Sequence, residues 1–265
     1  MEEAKPKDNE PARLREMMRR GEWTGPTFGL ALGYAQANLV ILPRDLAFEF
    51  LVFCQRNPKP CPVLDVTEVG SPHPRLVAPD ADLRTDLPRY RVYRYGELVE
   101  EVTDITPYWT SDLVAFLLGC SYTFEAALLA AGVPLRHHEE SKNVPMFRTN
   151  IQCIPAGRFH GPMVVSMRPM PPEKAIRAVQ VTSRFPATHG APIHIGDPSA
   201  IGIADIRRPD FGEAVTILPG EVPVFWACGV TPQAMAMESR PELMITHAPG
   251  HMFITDVRDA DLAVL

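Results

Sequence analysis

The stretch Val222–Val257, VPVFWACGVTPQAMAMESRPELMITHAPGHMFITDV, decides the fold class. Val222–Ala227, Leu243–His247 and Met252–Val257 are short runs of apolar, aromatic and β-branched residues, and they read as strands. Between the first two, Thr231–Ser239 reads as a helix. Thr231 can cap it, and Pro232 sits at its first position, where a missing N–H is harmless. The interleaving continues towards the N-terminus. Pro171-Pro172 opens a helix to about Arg184, after strands at Phe147–Ile154 and Pro162–Arg168. Ala214–Leu218 reads as one more strand. Ser121 can cap a helix through Ala131, stopped by Gly132 and Pro134, and Ser111 a helix running to Leu118. Tyr90–Tyr95 and Leu98–Val102 form a hairpin across Gly96-Glu97. Pro62–Val66 is a short strand, Pro43 opens a helix through Arg56, and residues 11–21 form a short amphipathic helix. Residues 1–9 are polar and read as frayed. Helices and strands that interleave in this way give a mixed α/β class. The C-terminal strands match the N-terminal part in character, so the middle third reads as an inserted second domain. No internal repeat is visible.

The chain has 265 residues, enough for one large domain or two modest ones. Lys and Arg total 26 and Asp and Glu 32, a net charge of −6. A mildly acidic chain is a poor nucleic-acid binder, because neutralising phosphates needs a basic surface. The longest apolar runs, Ala126–Leu135 and Leu113–Cys120, fall well short of a membrane span. No basic segment followed by an apolar stretch opens the chain. The five scattered cysteines, with no CxxC, read as reduced thiols of a cytoplasmic protein. The 28 prolines are spread singly, which implies many rigid, shaped loops. Loops of that kind often carry binding chemistry.

The richest loop is Ser183–Asp197, SRFPATHGAPIHIGD. It gathers Arg184, His189, His194 and Asp197, and Gly190 and Gly196 allow a ligand close to the backbone. A base, an acid and a cation so near in sequence suit proton transfer on an anion. They equally suit a loop of hydrogen-bonded structural histidines. On the strand Phe147–Ile154, Arg148, Asn150 and Gln152 share one face, a carboxylate reader or a solvated edge. Cys120 precedes a helix start, where the dipole lowers a thiol pKa, but ordinary burial of Cys120, Cys153 and Cys228 is the plainer reading. His247 and His251 flank the turn Pro249-Gly250 and could share a metal with Asp256 or Asp197, although no HExxH or paired-cysteine motif supports this. His137-His138, between Arg136 and Glu139-Glu140, reads as a solvated charged loop. Gly29–Gly33 fails as a dinucleotide fingerprint, and neither GxSxG nor GxxxxGK[ST] occurs.

Six ordered segments carry a resemblance: GCSYTFEAALLAAGVPLRHHE (119–139), NVPMFRTNIQC (143–153), GPMVVSMRP (161–169), SRFPATHGAPIHIGDPSAIGIADI (183–206), VPVFWACGVTPQ (222–233) and THAPGHMFITDV (246–257). Together they resemble the D-glutamate cyclase family, many bacterial members of which carry only a hydro-lyase label. The likeness spans about Gly25 to Leu265. It implies a three-layer α/β/α main domain, residues 1–118 with 221–265, and a smaller two-layer α+β domain inserted at 119–220.

The resemblance also implies a reaction, closure of D-glutamate to 5-oxo-D-proline with loss of water. The ammonium must lose a proton before it can attack, and the departing hydroxide must gain one. That chemistry assigns His189 as base and His194, oriented by Asp197, as acid, or the reverse. Arg148 and Arg184 would grip the carboxylates, and Asn150 with the Gly190 and Gly196 amides would face the oxyanion. No cofactor is expected, with a divalent metal as the alternative. The partner is a small dicarboxylate or amino acid; no nucleic acid or membrane is expected, and homo-oligomerisation stays open. Competing readings are elimination of water from a small hydroxy acid, a non-catalytic carboxylate-binding protein of 5-oxoproline metabolism, and a metal-dependent hydrolase.

Overall fold

The computed structural model describes residues 10–264; residues 1–9, read above as frayed, and residue 265 lie outside the described residues. Along the chain run α1 (Pro11–Arg19), β1 (Tyr34–Pro43), α2 (Arg44–Arg56), β2 (Val63–Val66), β3 (Tyr90–Arg94), β4 (Glu97–Val102), β5 (Leu113–Gly119), α3 (Glu125–Ala130) and α4 (Arg136–Glu139). They are followed by β6 (Met146–Gln152), β7 (Pro162–Met170), α5 (Pro172–Thr182), β8 (His194–Ile195), β9 (Val222–Ala227), α6 (Thr231–Ser239), β10 (Met244–His247) and β11 (Phe253–Arg258). The class is mixed α/β with two sheets.

The larger sheet has seven strands in the order β2-β5-β1-β10-β3-β4, with β11 also paired to β1. All its pairings are antiparallel. Its centre is β1, and β1 and β5 are buried on both faces. Such strands lose the period-2 pattern and read as continuous apolar runs. This explains one omission and one correction. The residues of β1 carry no strand signal, and Leu113–Leu118, expected as a helix behind Ser111, is β5. Its residues pair with β1 from Ala37↔Gly119 to Pro43↔Leu113.

One face of this sheet packs Val40, Leu42, Phe116 and Leu118 against Phe50 and Phe53 of α2. Burying one such phenylalanine fully stabilises by about 1.5–3 kcal/mol. The other face packs Leu39, Ile41, Ala115 and Leu117 under Val77, Ala78, Leu83 and Leu87 of the irregular segment between β2 and β3. The hairpin expected at Tyr90–Val102 is present, with Tyr95 and Gly96 both left-handed at the turn.

The smaller sheet is antiparallel, in the order β6-β7-β9-β8. Phe124 and Leu128 from the α3 region and Ala175 and Ala178 of α5 pack on Val224 and Trp226. β9 lies wholly in this sheet, so its strands run past the expected boundary at 220 to Ala227. Residues 214–218, expected as a strand, are irregular. From β9 the chain enters α6, whose Met235 and Ala236 pack into the core of the large sheet, and returns as β10. No helix of the described residues is long and apolar enough to cross a membrane.

Candidate functional site

Where β5 leaves the large sheet, the chain makes a short turn at Ser121–Phe124 and enters α3 with Glu125. Cys120 Sγ accepts the Tyr122 N–H at 3.5 Å and caps that turn. Gly132, left-handed at φ +69°, reverses the chain, so the single turn α4 comes back over the start of α3. The result is a buried polar cluster. His138 Nε2 lies 2.7 Å from Glu125 Oε2, and His137 Nε2 lies 3.0 Å from Oε1. Arg168, on β7, donates to Oε1 through Nε at 3.0 Å and through Nη2. The same guanidinium donates to Ser166 Oγ and Ser121 Oγ, each at 3.1 Å, and lies over the rings of Phe124 and Trp226.

Glu125, His137 and Arg168 are each 1% exposed or less. Burial alone would raise the Glu125 pKa, but the histidine and arginine contacts reverse this and hold it well below its usual range. Burial pushes the His137 imidazole down to about 4, so at neutral pH the lasting countercharge of Glu125 is Arg168. The pair His137-His138 is therefore not the solvated loop expected from its charged neighbours.

Next to the cluster lies an open cleft of ≈ 610 Å³. Its walls include Arg89 and Arg91 of the β3 region, Glu101 of β4, Asn143, Glu213 and His251. Arg89 Nη1 and Arg91 Nε reach the two oxygens of Glu101 at 3.2 and 2.9 Å. Two arginines thus share one carboxylate. His251 Nδ1 lies 3.0 Å from Pro249 O, which must accept, so the lone pair resides on Nε2. Burial pushes His251 down to about 4, which keeps it neutral at physiological pH. Tyr122 joins the cleft to the cluster: its ring stacks on His137 and its hydroxyl donates to Asn143 Oδ1 at 2.8 Å. Asn143 in turn donates to Pro249 O at 2.9 Å. Gly250 must be glycine there, because it is left-handed and a Cβ would stand 2.3 Å from the Asn143 amide.

The residues assigned from the sequence do not converge. His189 is buried, its Nδ1 donates to Lys59 O at 2.6 Å, and its Nε2 has no partner. His194 Nε2 donates to the backbone oxygen of Asp197 at 2.7 Å. The Asp197 carboxylate, exposed, instead caps Ser199 through its N–H and hydroxyl. The amides of Gly190 and Gly196 are spent on Phe185 O and Pro223 O, so neither can face an oxyanion. Arg148 lies over Phe211 and donates to Met237 Sδ, in a cavity with Arg208. Asn150 is exposed. Arg184 is exposed, donates to Val264 O, and lines a separate groove with Arg177. Arg148 and Arg184 thus belong to different cavities and do not grip one dianion.

The thiols follow the plainer reading. All five cysteines are free and buried, and burial raises Cys120, with Cys153 and Cys228 pushed up to about 11. His247 is buried against Leu39, and Asp256 pairs with Arg15 at 2.8 Å, so that proposed metal set does not assemble. Among the described residues, the group of three His, Cys, Asp or Glu side chains close enough to share an ion is Glu125, His137 and His138.

One signal for the missed cluster was present in the sequence. Arg168 interrupts the apolar run PMVVSM before it, and a charge on a buried strand requires a buried partner.

The family model for D-glutamate cyclase matches residues 114–256, a span that holds the whole cluster and much of the cleft. The chain belongs to the D-glutamate cyclase family. It is 69% identical over 259 residues to a protein of Stutzerimonas stutzeri named "Putative hydro-lyase", covering 98% of each chain. It is 67% identical over 255 residues to "Putative hydro-lyase YcsI" of Bacillus subtilis, covering 96% of this chain and 99% of that one. Among solved structures, a nitrogen repressor-like protein from Methanococcus jannaschii aligns over 94% of this chain and 96% of that one, at 10% identity and a TM-score of 0.42.

Proposed function

We propose that this family member is a hydro-lyase that closes D-glutamate to 5-oxo-D-proline in the cleft beside Asn143. The observation that carries the reading is the pairing of a half-buried His251, its Nε2 lone pair free, with Arg89 and Arg91 around one small open cleft. The names of the relatives support loss of water as the reaction class.

The chemistry follows from those groups. Arg89 and Arg91 attract the substrate carboxylates; together they outweigh the single Glu101 between them. His251 Nε2 takes a proton from the ammonium, and the freed nitrogen attacks the γ-carboxyl carbon. The C–N bond forms, one carboxyl oxygen departs, and two protons in all pass from nitrogen to that oxygen to give water. The free lone pair on Nε2 is where each proton rests between the nitrogen and the departing oxygen, and a weakly basic imidazole releases it readily. Confinement of a chain already folded towards a five-membered ring lowers the barrier further.

The test is incubation of the purified protein with D-glutamate, L-glutamate and 5-oxo-D-proline, with chromatographic detection of both directions. The reading expects interconversion of the D-forms. No turnover of D-glutamate would reject it. Uptake of solvent deuterium at a substrate carbon would point to elimination from a hydroxy acid instead.

A further inference from the structure

Glu125, His137 and His138 form a second constellation that the cleft chemistry does not use. Their carboxylate oxygen and imidazole nitrogens all lie within 4.8 Å of one another. Three features set it apart from an ordinary buried ion pair. First, His137 Nε2 is fully buried and has no aligned hydrogen-bond partner, although Glu125 Oε1 stands 3.0 Å away. A buried polar atom left unmatched costs about 1–3 kcal/mol, so an unmatched imidazole nitrogen here needs a reason. Second, His137 and His138 are successive residues of α4 and project about 100° apart around it, yet both bring Nε2 to the same carboxylate, with their rings edge-on at 4.6 Å. Phe28 packs against both rings and Tyr122 stacks on His137, which fixes them there. Third, Arg168 binds Glu125 through Oε1, so Oε2 is not taken by the guanidinium.

We infer that Glu125, His137 and His138 bind one divalent transition-metal ion of the zinc type. Two imidazole nitrogens and a carboxylate suit zinc or cobalt, whereas magnesium and calcium prefer all-oxygen shells. Tetrahedral donors about 2.0–2.1 Å from an ion lie roughly 3.3 Å apart; here the two imidazole nitrogens stand 3.0 and 2.7 Å from Oε1 and Oε2 respectively, and one donor atom from each side chain lies within 4.8 Å of the others, so side-chain torsions alone have to adjust to seat an ion. A fourth position stays open to water. His138, with its side chain 19% exposed, is the way in. Arg168 holds the ligating carboxylate from behind, as outer partners of metal ligands commonly do. The Tyr122–Asn143 bond then ties the ion's surroundings to the cleft wall.

The experiment uses the full chain, stripped with chelator and desalted, then titrated with Zn²⁺ or Co²⁺. The expected result is about one equivalent of metal retained through gel filtration, visible d–d absorption from the cobalt form, and a higher melting temperature with zinc. His138→Ala, at the accessible edge, and Glu125→Gln, of the same shape, should each weaken binding at least 10-fold. His160→Ala, an exposed histidine elsewhere, should leave it unchanged. Absence of retained metal in the wild-type chain would overturn the inference. Equal affinity in wild type and His138→Ala would overturn it too. If both site variants fail to fold, the wild-type stoichiometry and cobalt spectrum decide alone. The outcome is independent of whether D-glutamate turns over.

Discussion

Arg168 and Glu125 form an ion pair from which water is excluded: their side chains are 0% and 1% exposed, and two guanidinium nitrogens reach a single carboxylate oxygen. The pair locks β7 of the small sheet to the start of α3, whose preceding turn leaves the large sheet. Removing one partner strands the other charge in a place with no solvent. Arg168→Met is therefore expected to destabilise by about 3–5 kcal/mol in chemical denaturation. Combining it with Glu125→Leu should recover a good part of that loss, because no lone charge remains. Arg168→Lys should not rescue, since one ammonium cannot serve Glu125, Ser121 and Ser166 at once.

The end of β5 meets the loop that carries His189. A Cβ on Gly119 would stand 1.9 Å from Ala187 O, a backbone atom with no freedom to swing away. Gly119→Ala is thus expected to cost ~1–3 kcal/mol or more through forced backbone movement. Differential scanning calorimetry checks it; an unchanged melting temperature would mean that this contact is loose in solution.

Four histidines make stability pH-dependent. Burial lowers His137, His189 and His251 to about 4 and His247 to about 3, against about 6.5 in an unfolded chain. Above pH 6.5 both states are neutral and nothing is lost. As the pH falls from about 6.5 towards 4, the unfolded chain takes up protons that the folded one refuses. Stability then falls by up to ~1.4 kcal/mol per pH unit for each histidine. Urea midpoints at several pH values should trace that decline. His189→Asn suits the left-handed backbone at that position and should give a shallower slope.

How much of this was visible in the sequence depended on how many faces an element buries. α2, α5, α6 and the β3–β4 hairpin are marked by periodicity, by a proline at the helix start or by a turn signal, although the Thr231 cap expected for α6 does not form: its N-cap is Val230 and the Thr231 hydroxyl donates to Cys228 O. β1 and β5 bury both faces, so their pattern carries no period, and one went unassigned while the other passed for a helix. The sites failed for a different reason. His189, His194 and Asp197 are near in sequence, and nearness suggests cooperation, but His189 is tied to the distant backbone of Lys59 while His194 and Asp197 bond within their own loop. Arg89, Asn143 and His251 come from distant segments and meet only through sheet pairing and the Pro249-Gly250 turn. His137-His138 looked solvated because its flanking charges do; Arg136 in fact turns to Glu221 and Glu139.

The last expectation concerns the cleft itself. If His251 ferries protons, His251→Gln should lower kcat by about 10²–10⁴-fold, because the amide keeps the shape and loses the base. KM should move little, since His251 is not what holds the carboxylates. Arg91→Gln should behave in the opposite way. It removes a charge-assisted contact worth about 1.5–3 kcal/mol, so kcat/KM should drop roughly 10- to 100-fold, mostly through KM. Arg91 also touches Glu101, and Gln233 lies within 3.5 Å, so a melting curve must accompany the kinetics. Steady-state rates for the two variants with D-glutamate separate the roles. A rise in KM alone for His251→Gln, or a fall in kcat alone for Arg91→Gln, would exchange the assignments.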